Sequence, residues 1–388
     1  MTEPLTTTDR KDTADRAARI EQATALAARR RALEAEQPGL RARDLAAALG
    51  ASEAELVAAR VGAGPGAAPG AAVRLAGDLR RLVEALPTLG RVMVLTRNET
   101  AVHERKGVFG NISTSGHVGL VLNEAIDLRL FFAHWRRAFA VEEEVRSGRR
   151  RSLQIFDAAG EAVHKIYLLE GESDVAAFDV LVNAFRAEDQ APGLSLRPRR
   201  ADRKAAADAA GVDQEAFLSE WRALRDTHDF HGMLRRHKVG RLDAMRLGAP
   251  EFVTPAPANA LRSALDLAAR RETAIMVFVG NRGCIQIHSG PVKAVRPVGD
   301  WDNVLDPDFN LHVRRDRVAE AFVVRKPTVD GDVTALELFD HEGAHVLQMF
   351  GVRKPGVAEA PAWRRLTQDL LAGDAPPPGA SPWAEIPA

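Results

Sequence analysis

The sequence contains one cysteine, Cys284. That excludes an intramolecular disulfide and a Cys-based metal site, and it suits a reducing compartment. Aromatic residues are scarce at 5%, and Tyr167 is the single tyrosine. A stacking platform for nucleic-acid bases needs more. Neither sign of charge is in excess: Lys plus Arg and Asp plus Glu both number 53. A dedicated nucleic-acid binder carries a basic surplus, so no nucleic-acid partner is expected. A local basic pocket for an anionic ligand is still compatible with that balance. No run approaches the roughly 18 apolar residues of a membrane span. The opening MTEPLTTTDRKDTADRAARIEQ lacks the apolar core of a secretory signal. These absences lead to the expectation of a soluble, cytoplasmic protein.

The chain is 388 residues long, which exceeds what a single core supports and points to two or three domains. Residues 1–15 are polar and are expected to be disordered. Residues 16–36 are rich in Ala, Arg, Leu and Glu and predict a helix that stops at Pro38 and Gly39. A second helix is expected over 43–49. A third begins at Ser52, where Ser-Glu-Ala-Glu reads as a cap with an acidic first turn. The stretch GAGPGAAPG (62–70) reads as a loop, and a helix is expected over 72–86. From Arg91 the pattern alternates and predicts a β-hairpin.

An internal repeat is the more informative signal. Shifted by 183 residues, the β-rich stretch overlays itself without a gap. Met93 falls on Met276, Asn98 on Asn281, Gly107 on Gly290, Phe139 on Phe322, Asp157 on Asp340 and Gly160 on Gly343. LQIFDAAGEAVHKIY and LELFDHEGAHVLQMF both read as strand, turn, strand, with Asp-x-x-Gly supplying the turn. The expected fold is therefore α+β: a tandem duplication of a unit with leading helices and a large antiparallel β-sheet. The copies are placed at 16–195 and 206–375, with a linker near 190–205 and a tail at 376–388. A duplicated fold offers a cleft between its halves, where ligands favour binding.

The segment from Trp221 to His237 has helical texture. His228 and His231 lie three apart and share a helix face, and Lys238, Arg241 and Arg246 follow. Such a helix could offer an iron porphyrin an imidazole for the metal and cations for its propionates. A solvated His-bearing face is the commoner reading of the same residues. A zinc site would need a third ligand, and no HExxH-type motif is present.

Several stretches together resemble one bacterial family. They are TRNETAVHERKG (96–107), LRLFFAHWRRAFAVEE (128–143), WRALRDTHDFH (221–231), GNRGCIQIHSGPVK (280–293) and FNLHVRRDRVAEAFVVRKPTVDGDVTALELFDHEG (309–343). PGLRARDLAAALGASEAEL (38–56) resembles the family's N-terminal helices. The resemblance is to the hemin-degrading or hemin-transport factors of the HemS/HmuS/ChuS type. It spans residues 18 to 370.

The resemblance implies a cytoplasmic protein behind an inner-membrane haem importer, with two similar halves holding one haem b between them. It implies an axial ligand in a D-x-H-x-F motif, here Asp226 to Phe230, which makes His228 the iron ligand. His231 is an alternate. It implies an arginine across the haem in an R-x-F setting, matched by Arg129 and Phe131. Basic or polar propionate partners fall at Arg241, Lys326, Gln348 and Arg353. Cys284 is expected in a buried strand, and His103 in a strand. No first-half counterpart of D-x-H-x-F is evident, and His312 stands at the repeat position of Arg129, so one site per chain is expected. The function expected is to receive imported haem and traffic it for iron release, with a haem oxygenase as partner. The alternative is an enzyme that opens the porphyrin itself, which would need an open distal position and a reductant.

Overall fold

The computed structural model describes residues 7–62, 71–145, 148–196, 211–354 and 356–373. The expected C-terminal tail and most of the expected linker lie outside these residues. Nine strands in the first half are β1 (Ala72–Leu75), β2 (Gly90–Arg97), β3 (Ala101–Val108), β4 (Ile112–Ser115), β5 (Val118–Leu122), β6 (Asp127–Phe131), β7 (Arg137–Val145), β8 (Gly148–Phe156) and β9 (Ala162–Ser173). Nine more follow in the second: β10 (Val253–Pro255), β11 (Ile275–Gly280), β12 (Cys284–Gly290), β13 (Val295–Val298), β14 (Trp301–Leu305), β15 (Phe309–Arg314), β16 (Val318–Lys326), β17 (Val333–Asp340) and β18 (His345–Gly351). The second set repeats the first at the 183-residue offset to within two residues at every strand start. The duplication and the α+β class expected from the sequence are both present.

The halves do not each own a sheet. One sheet runs β1-β7-β8-β9-β2-β3-β15-β14-β13, and the other β10-β16-β17-β18-β11-β12-β6-β5-β4. Each half therefore donates three strands to the other's sheet. The joins are the antiparallel pairs β3 with β15, where Leu311 faces His103, and β12 with β6, where Ile285 faces Arg129. This corrects the picture of two self-contained sheets.

The repeated Asn98 and Asn281 secure the exchange. Asn98 Nδ2 donates to the carbonyls of Gly280 (3.2 Å) and Val346 (2.7 Å), both in the other half. Asn281 Nδ2 donates to Arg97 (2.9 Å) and Val163 (2.8 Å). Each side-chain oxygen also accepts amide hydrogens of its own turn, from Thr100 and Ala101 or from Gly283 and Cys284. The apolar cores are likewise shared. Leu311 and Val313 of β15 pack with Val277 and Leu336, while Leu128 and Leu130 of β6 pack with Val94 and Leu153.

Ten helices flank the sheets among the described residues. The first three are α1 (Thr7–Glu36), α2 (Ala42–Ala48) and α3 (Glu53–Ala58). Helix α1 begins inside the stretch expected to be disordered, of which residues 1–6 lie outside the described ones. Ser52 caps α3 in a capping box: its hydroxyl accepts from Glu55 N at 3.2 Å, and the Glu55 carboxylate accepts from Ser52 N at 2.8 Å. From residue 63 the expected loop lies outside the described residues. The helix expected over 72–86 does not form as one piece. Residues 72–75 pair with β7, Gly77 takes φ +102, and α4 (Leu79–Ala85) starts only after Asp78 caps it. Tertiary pairing here overrides local helix propensity. The remaining helices are α5 (Val175–Ala184), α6 (Gln214–Arg222), α7 (Asp229–His237), α8 (Arg241–Leu247), α9 (Ala260–Arg270) and α10 (Pro361–Ala372). Helices α9 and α10 cover one face of the second sheet through Leu265, Trp363 and Leu366.

Three histidines are buried where the halves meet. His103 packs 5.0 Å from the Phe309 ring, and His288 stacks on the same ring at 3.8 Å. His164 Nδ1 lies 2.9 Å from Thr96 Oγ1, beside buried Cys284. Desolvation pushes His164 and His288 down to about 3 and His103 well below its ordinary value. Burial pushes the Cys284 thiol up to about 12, so it is a buried strand residue, not a thiolate. Unfolded, each histidine would protonate near 6.5. The unfolded chain therefore binds more protons, and the stability from these groups is full above about pH 6.5 and drains as pH falls toward 3. Urea midpoints measured from pH 7 to 4 should drop, and the drop should be smaller for His164→Gln. An equal drop in that variant would show that His164 does not report on the interface.

Candidate functional site

The second sheet's other face is only partly covered. Along β11, Ile275, Val277 and Val279 are buried, while Met276, Phe278 and Gly280 keep partial exposure. Helices α6 to α8 sit over one end of this face, where Trp221, Phe230 and Phe252 pack on Phe322, Val324 and Phe339. Trp221 stacks on Phe252 at 5.0 Å and meets Phe230 edge-on at 4.8 Å. Beyond the helices the strip from β18 to β6 remains half open.

The segment from Trp221 to His237 is two helices and not one. The first ends at Arg222, and ahead of the second the Asp226 carboxylate accepts from His228 N at 2.8 Å, which competes with helical bonding. His228 ends up as the residue preceding α7, with its side chain 92% exposed. Its Nδ1 lies 2.6 Å from the same Asp226 oxygen. Hydrogen bonds from His228, the backbone N–H first, hold the Asp226 carboxyl below its usual range. With Nδ1–H as the donor to this carboxylate, Nε2 is the ring nitrogen left for another partner. A carboxylate fixing the far nitrogen is how metal-binding histidines are held in tautomer and orientation. His231 lies one turn along. Desolvation, then the charges of Arg241 and Lys326, push it down to about 4, so it is neutral at pH 7.

Strand register places the sequence-predicted arginine over the same face. Residues directly opposite in antiparallel strands share a face. Glu337 faces Gln348, Gln348 faces Phe278, Phe278 faces Ile287 and Ile287 faces Asp127. Arg129 and Phe131 follow Asp127 at alternate positions of β6, so they join that face. Both are half-buried, and Arg129 is paired with Asp127. The strand exchange is what lets a first-half arginine reach a second-half site.

Three of the four expected propionate partners are gathered around a residue that sequence reasoning missed. Arg241 at the start of α8 donates to both Glu337 oxygens, at 2.7 and 2.9 Å, and to Gln348 Oε1 at 2.7 Å. Lys326 Nζ donates to Glu337 at 2.6 Å and lies 4.5 Å from the Phe230 ring centre. Burial alone would raise the Glu337 carboxyl, but Arg241 and Lys326 outweigh it and hold it well below its ordinary value. Lys326 is 3% exposed, so it is an enclosed counter-charge. Arg241 and Gln348 border the open strip. Arg353 lies apart from this network, paired with Asp330 at 3.2 Å, and its charge reaches Asp226. No periodicity or spacing marks Glu337; its repeat partner is the neutral Gln154.

The described residues of the first half show no such arrangement. Its N-terminal helices match α7 and α8 at an offset of 188, since Gly50 and Lys238 both end a helix in the left-handed region and Ser52 and Gly240 both precede the next. On that offset Leu40 stands at the position of His228, and Glu53 at that of Arg241. Glu53 is buried and bonds Lys165 at 2.6 Å and Arg97. His103 is fully buried in β3, away from any open surface. Among the described residues no group of three or more His, Cys, Asp or Glu forms a metal cluster.

The model of the haemin-degrading HemS/ChuX domain matches the chain twice, at residues 50–185 and 238–370. The chain belongs to this family. A hemin transport protein of Yersinia pestis, HmuS, is 41% identical over 344 residues, 88% of this chain and 96% of its own length. The heme-binding protein PhuS of Pseudomonas aeruginosa, solved with its ligand, is 46% identical, with a TM-score of 0.85, covering 90% of this chain and 99% of its own. ChuS of Escherichia coli O157:H7, described as a heme degrading enzyme, is 38% identical with a TM-score of 0.82 over the same shares. No helix among the described residues is long and apolar enough to cross a membrane.

The Glu337 network predicts a large mutational effect. Glu337→Gln leaves the Lys326 ammonium buried without its counter-charge and should cost about 3–5 kcal/mol in urea unfolding. The Glu337→Gln, Lys326→Met double variant should recover most of that. A single variant within about 0.5 kcal/mol of wild type, the ordinary spread for surface changes, would remove the network from the account.

Proposed function

We propose that this protein binds one haem as cargo and carries it in the cytoplasm from an inner-membrane importer toward a haem oxygenase. The observation that carries this reading is His228: an exposed imidazole, one ring nitrogen held by Asp226, beside a half-open apolar strip. Family membership and the hemin transport and heme-binding relatives support it. Haem b would be ligated through His228 Nε2, with its ring over Phe278 and Phe350 and its negative charge attracted by Arg129, Arg241 and Arg353. Gln348 would offer its amide to a propionate. Lys326 would act from beneath, by keeping Glu337 ionised and Arg241 in place. Phe131 would wall the strip beside Arg129.

The carrier reading is preferred to degradation by the chain itself on one ground. His228, which would ligate the iron, is a surface side chain, where an acceptor's own ligand could replace it. The opposite arrangement, a deeply enclosed metal ligand, would suit retention through a reaction.

Hemin titration followed by the Soret band tests the site. Wild type should saturate at one haem per chain. His228→Ala should lose that binding or change its spectrum, and Asp226→Asn should weaken it about tenfold by releasing the ring. A spectrum unchanged in His228→Ala would move the ligand elsewhere, with His231→Ala tested next. Adding haem oxygenase should speed haem loss from wild type; an unchanged off-rate would overturn direct transfer.

A further inference from the structure

The end of the strip away from Glu337 carries an ion pair, Arg129 with Asp127, two residues apart on β6. Four strand spacings of about 4.8 Å separate β17 from β6, so this pair stands roughly 19 Å from the Glu337 network. Both residues meet apolar side chains across the ladder. Asp127 faces Ile287 and Leu122, and Arg129 faces Ile285 and Leu120. The Asp127 side chain is only 22% exposed. Desolvation pushes its carboxyl up, and Arg129 opposes that rise by charge and by hydrogen bond. Among the described residues, each is the other's one ion-pair partner.

The duplication supplies an internal control. At the 183-residue offset Asp127 becomes Asn310 and Arg129 becomes His312. Those two bond to neighbouring strands instead of to each other. Asn310 donates to Glu104 of β3 at 3.3 Å, and His312 Nδ1 lies 2.7 Å from Asn303 Oδ1 of β14. Strand geometry therefore does not demand an acid and a base at these positions. The pair is confined to the sheet on which the candidate site lies.

Resting on the reading that haem lies over this strip, we propose that Asp127 is a positioning residue that aligns Arg129 along β6, offsets its charge and so keeps the iron of the cargo ferric. One-electron reduction takes one positive charge from ferric haem. A lone cation beside the porphyrin favours the reduced form, and a carboxylate beside it favours the oxidised form. Among apolar side chains such charges are weakly screened. Burial and charge near the ring are levers by which a protein sets haem potential. With Asp127 in place the pair presents little net charge. Without it, Arg129 would stabilise ferrous haem, the form that binds dioxygen. A carrier that keeps its cargo ferric keeps it unreactive until it is handed on.

Potentiometric titration of the full chain loaded with one equivalent of hemin tests this, with dithionite as reductant and the Soret band as readout. Each variant is first titrated with hemin, so that its occupancy is known. Asp127→Asn should shift the midpoint potential positive. Asp127→Glu, which restores the carboxylate, should stay at the wild-type value. Adding Arg129→Gln to Asp127→Asn removes the uncompensated cation and should bring the potential back toward wild type. A merely structural Asp127 would change urea stability and leave the potential unmoved. If Asp127→Asn fails to fold, Asp127→Ser removes the same charge and is measured in its place. One-to-one hemin binding with an unmoved or negative potential in Asp127→Asn would overturn the proposal and leave the haem site standing. A positive shift that persists in the double variant would do the same. Absence of saturable hemin binding in wild type would remove both.

Discussion

Everything distinctive in this molecule depends on the exchange of three strands between its halves. If β4 to β6 stayed in the first sheet, Arg129 and Phe131 would lie on the far side of the molecule from His228. Because β6 pairs with β12, both ends of the candidate site project over one continuous sheet face. The exchange is held by groups that cannot be satisfied otherwise. Asn98 and Asn281 each donate both amide hydrogens across the junction, and the cores on either side interleave strands of both copies. Buried amides of this kind are costly to leave unpaired. The halves are therefore unlike two beads on a linker; separating them would open both cores.

On that symmetric frame the copies diverge mainly in charge. The leading helices dock through the same Asp-x-x-Gly turns in both halves, Gly160 against Ser52 and Gly343 against Leu242. The first residue of the docked helix is Glu53 in one copy and Arg241 in the other. The sheet answers with opposite charge: Lys165 and Arg97 in the first case, Glu337 in the second. Both networks solve the same desolvation problem. Among the described residues only the second leaves an arginine at the edge of an open apolar strip, and there a histidine immediately precedes the helix before it.

The fold was legible wherever a local pattern fixes it. The repeat announced the duplication, Asp157 and Asp340 announced their hairpins, and Ser52 with Glu55 announced a cap. The expectation failed at 72–86, where a short edge strand is set by its partner β7 and by Gly77. It failed again at 221–237, where the Asp226 side chain interrupts a helical composition. Strand exchange was not legible, since pairing partners separated by half the chain leave no periodic trace. In the candidate site, His228, Arg129, Arg241 and Gln348 were named through the family's motifs. Glu337 was not, because a buried acid in an apolar strand reads as any other interruption until its two cations are seen beside it.

One haem is proposed to lie over the shared second sheet, ligated by His228, the residue that precedes α7. The crystal structure of the full chain with hemin tests it most directly. The account predicts iron on Nε2 of His228, with Arg129 of the donated strand on the same porphyrin and no haem over the first half. A porphyrin seated over Met93 and Leu95 of β2, or iron bound to a histidine outside α7 and its first turn, would contradict it.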